Sequence, residues 1–211
     1  MNPADPAVGR VPLDPPGARP PQPAVFLDRD GTLIEERGYI DRLALLSVFP
    51  WSGDAVRLLN RAGFAVVVIT NQSGIARGLL DEAFLAEVHQ TIDRRLAPAR
   101  IDGYYFCPHL RDAADERYRA DCDCRKPKPG LITRAARELH LDLTRSFMVG
   151  DRWLDVACGH AAGVRSILVR TGHGAHEEER IAPPVQADAI LNNLMEAVGW
   201  ILRSSSPLPA R

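Results

Sequence analysis

The sequence predicts an α/β fold built on a doubly wound parallel sheet, and three observations point there. Short apolar runs of strand length alternate with stretches of helical period along most of the chain. Some of these runs are apolar throughout, as in Phe64-Ala65-Val66-Val67-Val68-Ile69, the pattern of a strand covered on both faces by helices. Several runs then stop abruptly in polar elbows, which in an open parallel sheet converge at the carboxyl edge, where such sheets place their chemistry. The 211 residues suffice for one domain of this kind with a full core.

Residues 1–23 hold eight prolines with little apolar content between them, so a disordered leader is expected. The folded domain is read over residues 24–203 and opens with a buried strand, Ala24-Val25-Phe26-Leu27, which ends at Asp28-Arg29-Asp30-Gly31-Thr32. Residues 29–51 carry Gly31 and Gly38 and no long helical period, and read as a loop or short hairpin over the strand end. A helical stripe over 54–62 closes at Gly63, a strand fills 64–69, and Thr70-Asn71-Gln72-Ser73-Gly74 forms a second elbow. A helix over 81–96, with Asp81 as its N-cap, leads to a short strand over 104–107. After a polar inserted loop, residues 129–139 begin a helix with proline in the first turn. A strand over 147–149 runs into Gly150-Asp151, a helix spans 154–162, and strands follow at 164–169 and near Ala189-Ile190. A helix over 192–202 and a Ser/Pro-rich tail over 204–211, expected to be disordered, complete the chain.

Lys and Arg together number 26 against 27 Asp and Glu, so no basic excess recommends nucleic acid or an anionic membrane as partner. No apolar run reaches the ~18 residues of a membrane span, and the N-terminus lacks the apolar core of a signal peptide. The expectation is a cytoplasmic protein acting on a small molecule. Three of the four cysteines, Cys107, Cys122 and Cys124, fall within eighteen residues. In a reducing compartment that clustering favours a metal over disulfides, whereas the lone Cys158 reads as a small packing residue.

Asp28 and Asp30 stand two apart in extended chain, so both leave on one side and address one small site. Two close carboxylates repel unless a cation or a proton relieves them. Taken singly, Thr70 and Asn71 read as turn formers, Lys126 as a surface charge, and Asp151 or Asp155 as a helix cap. Together, Asp28 with Asp30, Thr70 with Asn71, Arg125 with Lys126, and Gly150 with Asp151 form four polar constellations behind apolar segments. Cys107-x-His109, twelve residues, then Cys122-x-Cys124 supplies three thiolates and an imidazole, a closed tetrahedral set suited to structural zinc. The spacing within each pair is narrower than in common zinc motifs. Arg125 and Lys126 follow Cys124 directly, so a metal there would fix the loop that presents two cations.

The four constellations resemble the motifs of the haloacid dehalogenase-type phosphohydrolases: Asp28-Arg29-Asp30-Gly31-Thr32, Thr70, Lys126, and Gly150-Asp151 with Asp155. The resemblance implies a parallel sheet without a large cap domain, and catalysis by Asp28, Asp30, Thr70 and Lys126. It further implies Mg²⁺ held by Asp28, Asp30 through its backbone carbonyl, and Asp151. Phosphoryl transfer asks a protein mainly for positioning and charge neutralisation, which such a kit supplies. Three segments, 71–78, 104–109 and 122–130, are similar to the heptose bisphosphate phosphatases within that group. That narrower resemblance implies action on a phosphorylated sugar in the supply of nucleotide-activated heptose; a monomer is expected. Glu36, Gly38, Tyr39, Asn71, Gln72, Ser73, Arg125 and Arg152 would then contact the substrate. The histidinol-phosphate phosphatases share the Asp-x-Asp, the zinc loop and the Arg-Lys-Pro run, and stand as the alternative. A non-catalytic phospho-sugar binding protein is disfavoured because both acids, Lys126 and Asp151 are all present.

Overall fold

The alternating pattern is realised as six strands and six helices in a computed structural model, which describes residues 20–180 and 185–205. In chain order these are β1 (Gln22–Leu27), α1 (Ser52–Arg61), β2 (Ala65–Asn71), α2 (Glu82–Leu96), β3 (Gly103–Cys107) and α3 (Gly130–Glu138). The second half continues with β4 (Leu141–Gly150), α4 (Trp153–Ala161), β5 (Arg165–Val169), α5 (Gly174–Glu179), β6 (Ala189–Leu191) and α6 (Leu194–Ser205). Every ladder is parallel, and the strand order is β3-β2-β1-β4-β5-β6. The chain therefore starts in the middle of the sheet, winds out to β3, returns to β4 and winds the other way. That makes the β1–β4 boundary the topological switch point, where a crevice opens at the carboxyl edge. The register Leu27↔Val149 sets the elbow after β1 beside the elbow after β4.

Unbroken apolar strands are explained by burial on both faces. Val25 and Leu27 of β1 join Val66 and Val68 of β2 in one core with α1, α2 and α6. Ala24 and Phe26 join Val67 and Ile69 in a second core, with Leu131, Ile132 and Ala135 of α3 and with Cys158 of α4. Cys158 is fully buried there, as its isolated position suggests. The Asp81 carboxylate accepts from the Phe84 amide at 2.7 Å and caps α2, satisfying one of its free N-terminal donors.

Element bounds differ from the sequence reading at a few points. β1 begins at Gln22, inside the stretch read as leader, because the longer β4 supplies partners: Gln22 pairs with Leu141 and Pro23 with Asp142. Residues 1–19 of that leader lie outside the described residues. α6 runs to Ser205, two residues into the expected tail, and the rest of the tail again lies outside the described residues. α5 has no counterpart in the reading; it is six residues long, carries three consecutive glutamates and buries only Gly174, so it shows no apolar stripe. The 28–51 connection holds a single 3-10 turn at Leu43–Leu45, and the cysteine loop another at Glu116–Tyr118, so no cap domain is present among the described residues. No helix among them is long and apolar enough to cross a membrane.

Candidate active site

Every residue proposed from sequence for catalysis, substrate or Mg²⁺ lines one cavity of about 600 Å³ at the carboxyl edge of the sheet. Asp28 follows β1, Thr70 and Asn71 end β2, and Asp151 follows β4, so three parallel strands deliver their elbows to one place. Lys126 arrives from the cysteine loop ahead of α3. The Asn71 side chain secures it, accepting from the Lys126 amide at 3.1 Å and donating to the Lys126 carbonyl at 3.3 Å. Glu36, Gly38 and Tyr39 come from the connection after β1, and Tyr39 remains 45% exposed at the rim.

The floor of the cavity is a buried charge cluster. Lys126 Nζ lies 2.5 Å from Asp28 Oδ1 and 2.6 Å from Asp155 Oδ1, and donates to the Ile69 carbonyl at 3.0 Å. Carboxylate oxygens of Asp28, Asp151 and Asp155 all lie within 4.8 Å of one another. Burial pushes the Asp28 carboxyl up to about 7, with Lys126 opposing and Asp155 and Asp30 adding to the rise. Burial, then Asp28 and Asp155, raises Asp151 to about 8. Burial also works against the Lys126 ammonium, but Asp155 and Asp28 hold its pKa above the ordinary lysine value. Three acids against one ammonium leave a surplus of negative charge in a low-dielectric site, which a divalent cation with oxygen ligands would relieve. The donor set therefore fits Mg²⁺. Asp155 is already engaged, by Lys126 on one oxygen and by the Arg152 amide on the other at 3.1 Å, where it caps α4. Asp151 does not cap that helix; its Oδ2 accepts from the His173 amide at 2.7 Å.

Two glycines make room for Asp151. A Cβ on Gly31 or on Gly172 would lie 2.2 Å from Asp151 Oδ2, and both residues have positive φ, +83° and +56°. Thr171 Oγ1 donates to the Gly31 carbonyl at 2.6 Å and ties the two loops together. His173, Arg77, Arg29 and Leu154 also line the cavity and were not singled out in the sequence. For His173 a signal existed: Thr171-Gly172-His173-Gly174 is one more polar, glycine-bearing elbow behind an apolar strand. Its ring approaches Glu36 Oε2 at 3.5 Å and so spans two loops at the rim.

The second cluster is the cysteine loop. Ligand atoms of Cys107, His109, Cys122 and Cys124 lie within 4.8 Å of one another. Cys107 Sγ is 3.5 Å from Cys122 Sγ, and His109 Nδ1 is 3.3 Å from Cys124 Sγ and 3.8 Å from Cys107 Sγ. Tetrahedral arms of about 2.0–2.3 Å produce edges of this size, so the set is compatible with zinc. The Cys124 hydrogen bond, more than any other influence, draws the Cys107 thiol down to about 5. Arg125 Nη1 donates to the His109 carbonyl at 3.3 Å, which couples the cluster to the rim of the cavity.

Comparison with known proteins agrees with this geometry. A family model described as "HAD-hyrolase-like" matches residues 123–197. The D-glycero-beta-D-manno-heptose-1,7-bisphosphate 7-phosphatase of Photorhabdus laumondii is 41% identical over 177 residues, covering 82% of this chain and 92% of the relative. Its counterpart in Escherichia coli strain K12 is 41% identical over 188 residues, covering 88% and 96%. The crystal structure of the D,D-heptose 1,7-bisphosphate phosphatase from B. bronchiseptica, complexed with magnesium and phosphate, superposes with a TM-score of 0.76 at 31% identity, covering 86% of this chain and 99% of that one. Sheet order, the convergence of four motifs on one crevice and these similarities together place the chain in the heptose-1,7-bisphosphate 7-phosphatase family of HAD-like hydrolases.

Proposed function

We propose that the protein hydrolyses the C7 phosphate of D-glycero-D-manno-heptose 1,7-bisphosphate, in the cytoplasm and as a monomer, through a phosphorylated Asp28. The observation that carries this reading is the buried Asp28–Lys126–Asp155 cluster, with Asp151 beside it, at the β1–β4 switch point. Asp28 attacks phosphorus as the bond to the C7 oxygen breaks, and Asp30 protonates that departing oxygen. Asp30 then takes the proton of the water that attacks the phosphorus of the aspartyl phosphate, releasing inorganic phosphate and restoring Asp28. Lys126 offsets the charge gathered on the phosphoryl oxygens. Thr70 Oγ1 accepts from Gln72 Nε2 at 2.8 Å, which leaves its own O–H free to donate to one of those oxygens.

Mg²⁺ would be held by Asp28, Asp151 and the backbone carbonyl of Asp30, whose carboxylate is oriented instead by Arg29 and Gln72. When bound, it supplies further neutralisation of phosphoryl charge. Zinc at Cys107, His109, Cys122 and Cys124 would use all four positions on protein ligands, and so serves structure by fixing the Arg125–Lys126 segment. Guanidinium groups bind phosphate bidentately, and Arg125 and Arg152 on the cavity wall suit a ligand with a second phosphate. Glu36, Gly38, Tyr39, Asn71, Gln72 and Ser73 complete the contacts to the sugar. Steady-state comparison of the heptose bisphosphate with histidinol phosphate is the test. Higher kcat/KM for the bisphosphate is expected, and preference for histidinol phosphate would overturn the assignment.

A further inference from the structure

Arg29 is among the largest side chains the fold buries, at 2% exposure, and the reaction above gives it no task. A buried guanidinium is costly unless its charge is matched and its donors are used. The match here is Asp30. Arg29 Nη2 donates to Asp30 Oδ1 at 2.9 Å and Nε to Oδ2 at 3.1 Å, a two-pronged fork that fixes the plane of the carboxylate. Gln72 Nε2 reaches Asp30 Oδ2 from elsewhere at 3.0 Å and is itself tied to Thr70. Oδ2 thus accepts from both Arg29 and Gln72, while Oδ1 accepts only from Arg29 Nη2 and keeps a lone pair on which the transferable proton can sit.

The Arg29 charge acts on a stacked pair of rings nearby. The His89 ring stacks on Tyr104 with centroids 4.2 Å apart and planes 13° apart, and the Tyr104 hydroxyl donates to Asp93 at 2.8 Å. Burial, helped by the nearby Arg29 charge, pushes His89 down to about 3, so the imidazole stays neutral and does not repel the guanidinium. A pair serving only stability would more simply be replaced by apolar residues of like volume.

We propose that Arg29 is a positioning residue that acts through Asp30, holding its carboxyl group where it can deliver a proton to the departing oxygen. This rests on the phosphatase reading and on Asp30 as the acid. A displacement of about 1 Å in such a group costs on the order of 10²-fold in rate. Lysine keeps the charge of arginine and loses the fork, so Arg29→Lys separates geometry from electrostatics.

The test is the leaving-group dependence of kcat/KM, which reports the steps through phosphorylation of Asp28. A sugar alkoxide needs a proton to depart, whereas p-nitrophenolate does not. Arg29→Lys is expected to lower kcat/KM for heptose 1,7-bisphosphate by about 10²-fold while leaving that for p-nitrophenyl phosphate within about threefold of wild type. Arg29→Gln, which removes both the charge and the fork, is expected to shift the same ratio in the same direction, and it decides the matter if thermal melting shows Arg29→Lys unfolded. An equal loss with both substrates, or no loss with either, overturns the role of Arg29. A wild-type protein that turns over neither substrate instead refutes the phosphatase reading beneath it.

Discussion

His89 gives the stability of this fold a pH dependence that can be worked out in advance. The imidazole is buried against Tyr104, and burial first, then the Arg29 charge, holds it far below the ordinary histidine value, at about 3. An unfolded chain protonates this histidine near pH 6.5. Between those two values the unfolded state binds more protons than the folded one, so stability is full above about 6.5 and is lost as pH falls. At pH 5 the unfolded state gains about 1.5 pH units of protonation free energy that the folded state does not, or ~2 kcal/mol. The result depends only on the folded value lying well below 5. Asp28 and Asp151, whose values are raised, contribute with the opposite sign, because the folded state then binds the extra protons. Comparison with His89→Phe cancels them. Urea unfolding at pH 8 and pH 5 is expected to show wild type losing about 2 kcal/mol more than His89→Phe. An equal loss in the two proteins, or a greater one in the variant, would refute the claim that this histidine is neutral in the fold.

Gly31→Ala forces a side chain onto a backbone with φ +83° and sets a Cβ 2.2 Å from Asp151 Oδ2. It is expected to displace Asp151 and cut kcat by about 10²-fold or more, measured with the heptose bisphosphate. Cys124→Ser opens the four-ligand cluster. Metal analysis should show zinc in the wild type and its loss in the variant, together with a lower melting temperature and reduced activity through the Arg125–Lys126 segment; a zinc-free protein that is fully folded and active would contradict a structural zinc site.

Much of the fold was legible because burial on both faces leaves a plain mark: Val66-Val67-Val68-Ile69 has no polar alternation to hide a strand. Polar elbows behind such runs were equally readable, and parallel topology alone is enough to bring Asp28, Thr70 and Asp151 together. What escaped had no local signature. α5 lacks an apolar stripe, and the first half of β4 is half-buried with polar residues at Asp142 and Thr144. The surroundings of Arg29 escaped for another reason: Asp30 adjoins it, but Gln72, which bonds Asp30, and His89 and Tyr104, which feel the Arg29 charge, come near only through the folded sheet. His173 had its glycine-bearing elbow as a signal, but its contacts with Asp151 and Glu36 are set only by the fold.

Catalysis by this route requires Asp28 to become covalently phosphorylated. Rapid acid quench of the enzyme with its bisphosphate, followed by peptide mass spectrometry, tests this most directly. Phosphate is expected on the peptide containing Asp28, forming within the first turnover and decaying as substrate is exhausted, and absent from a folded, inactive Asp28→Asn. A wild-type enzyme that turns over without ever carrying phosphate there, or an Asp28→Asn protein that keeps appreciable activity, would contradict the mechanism.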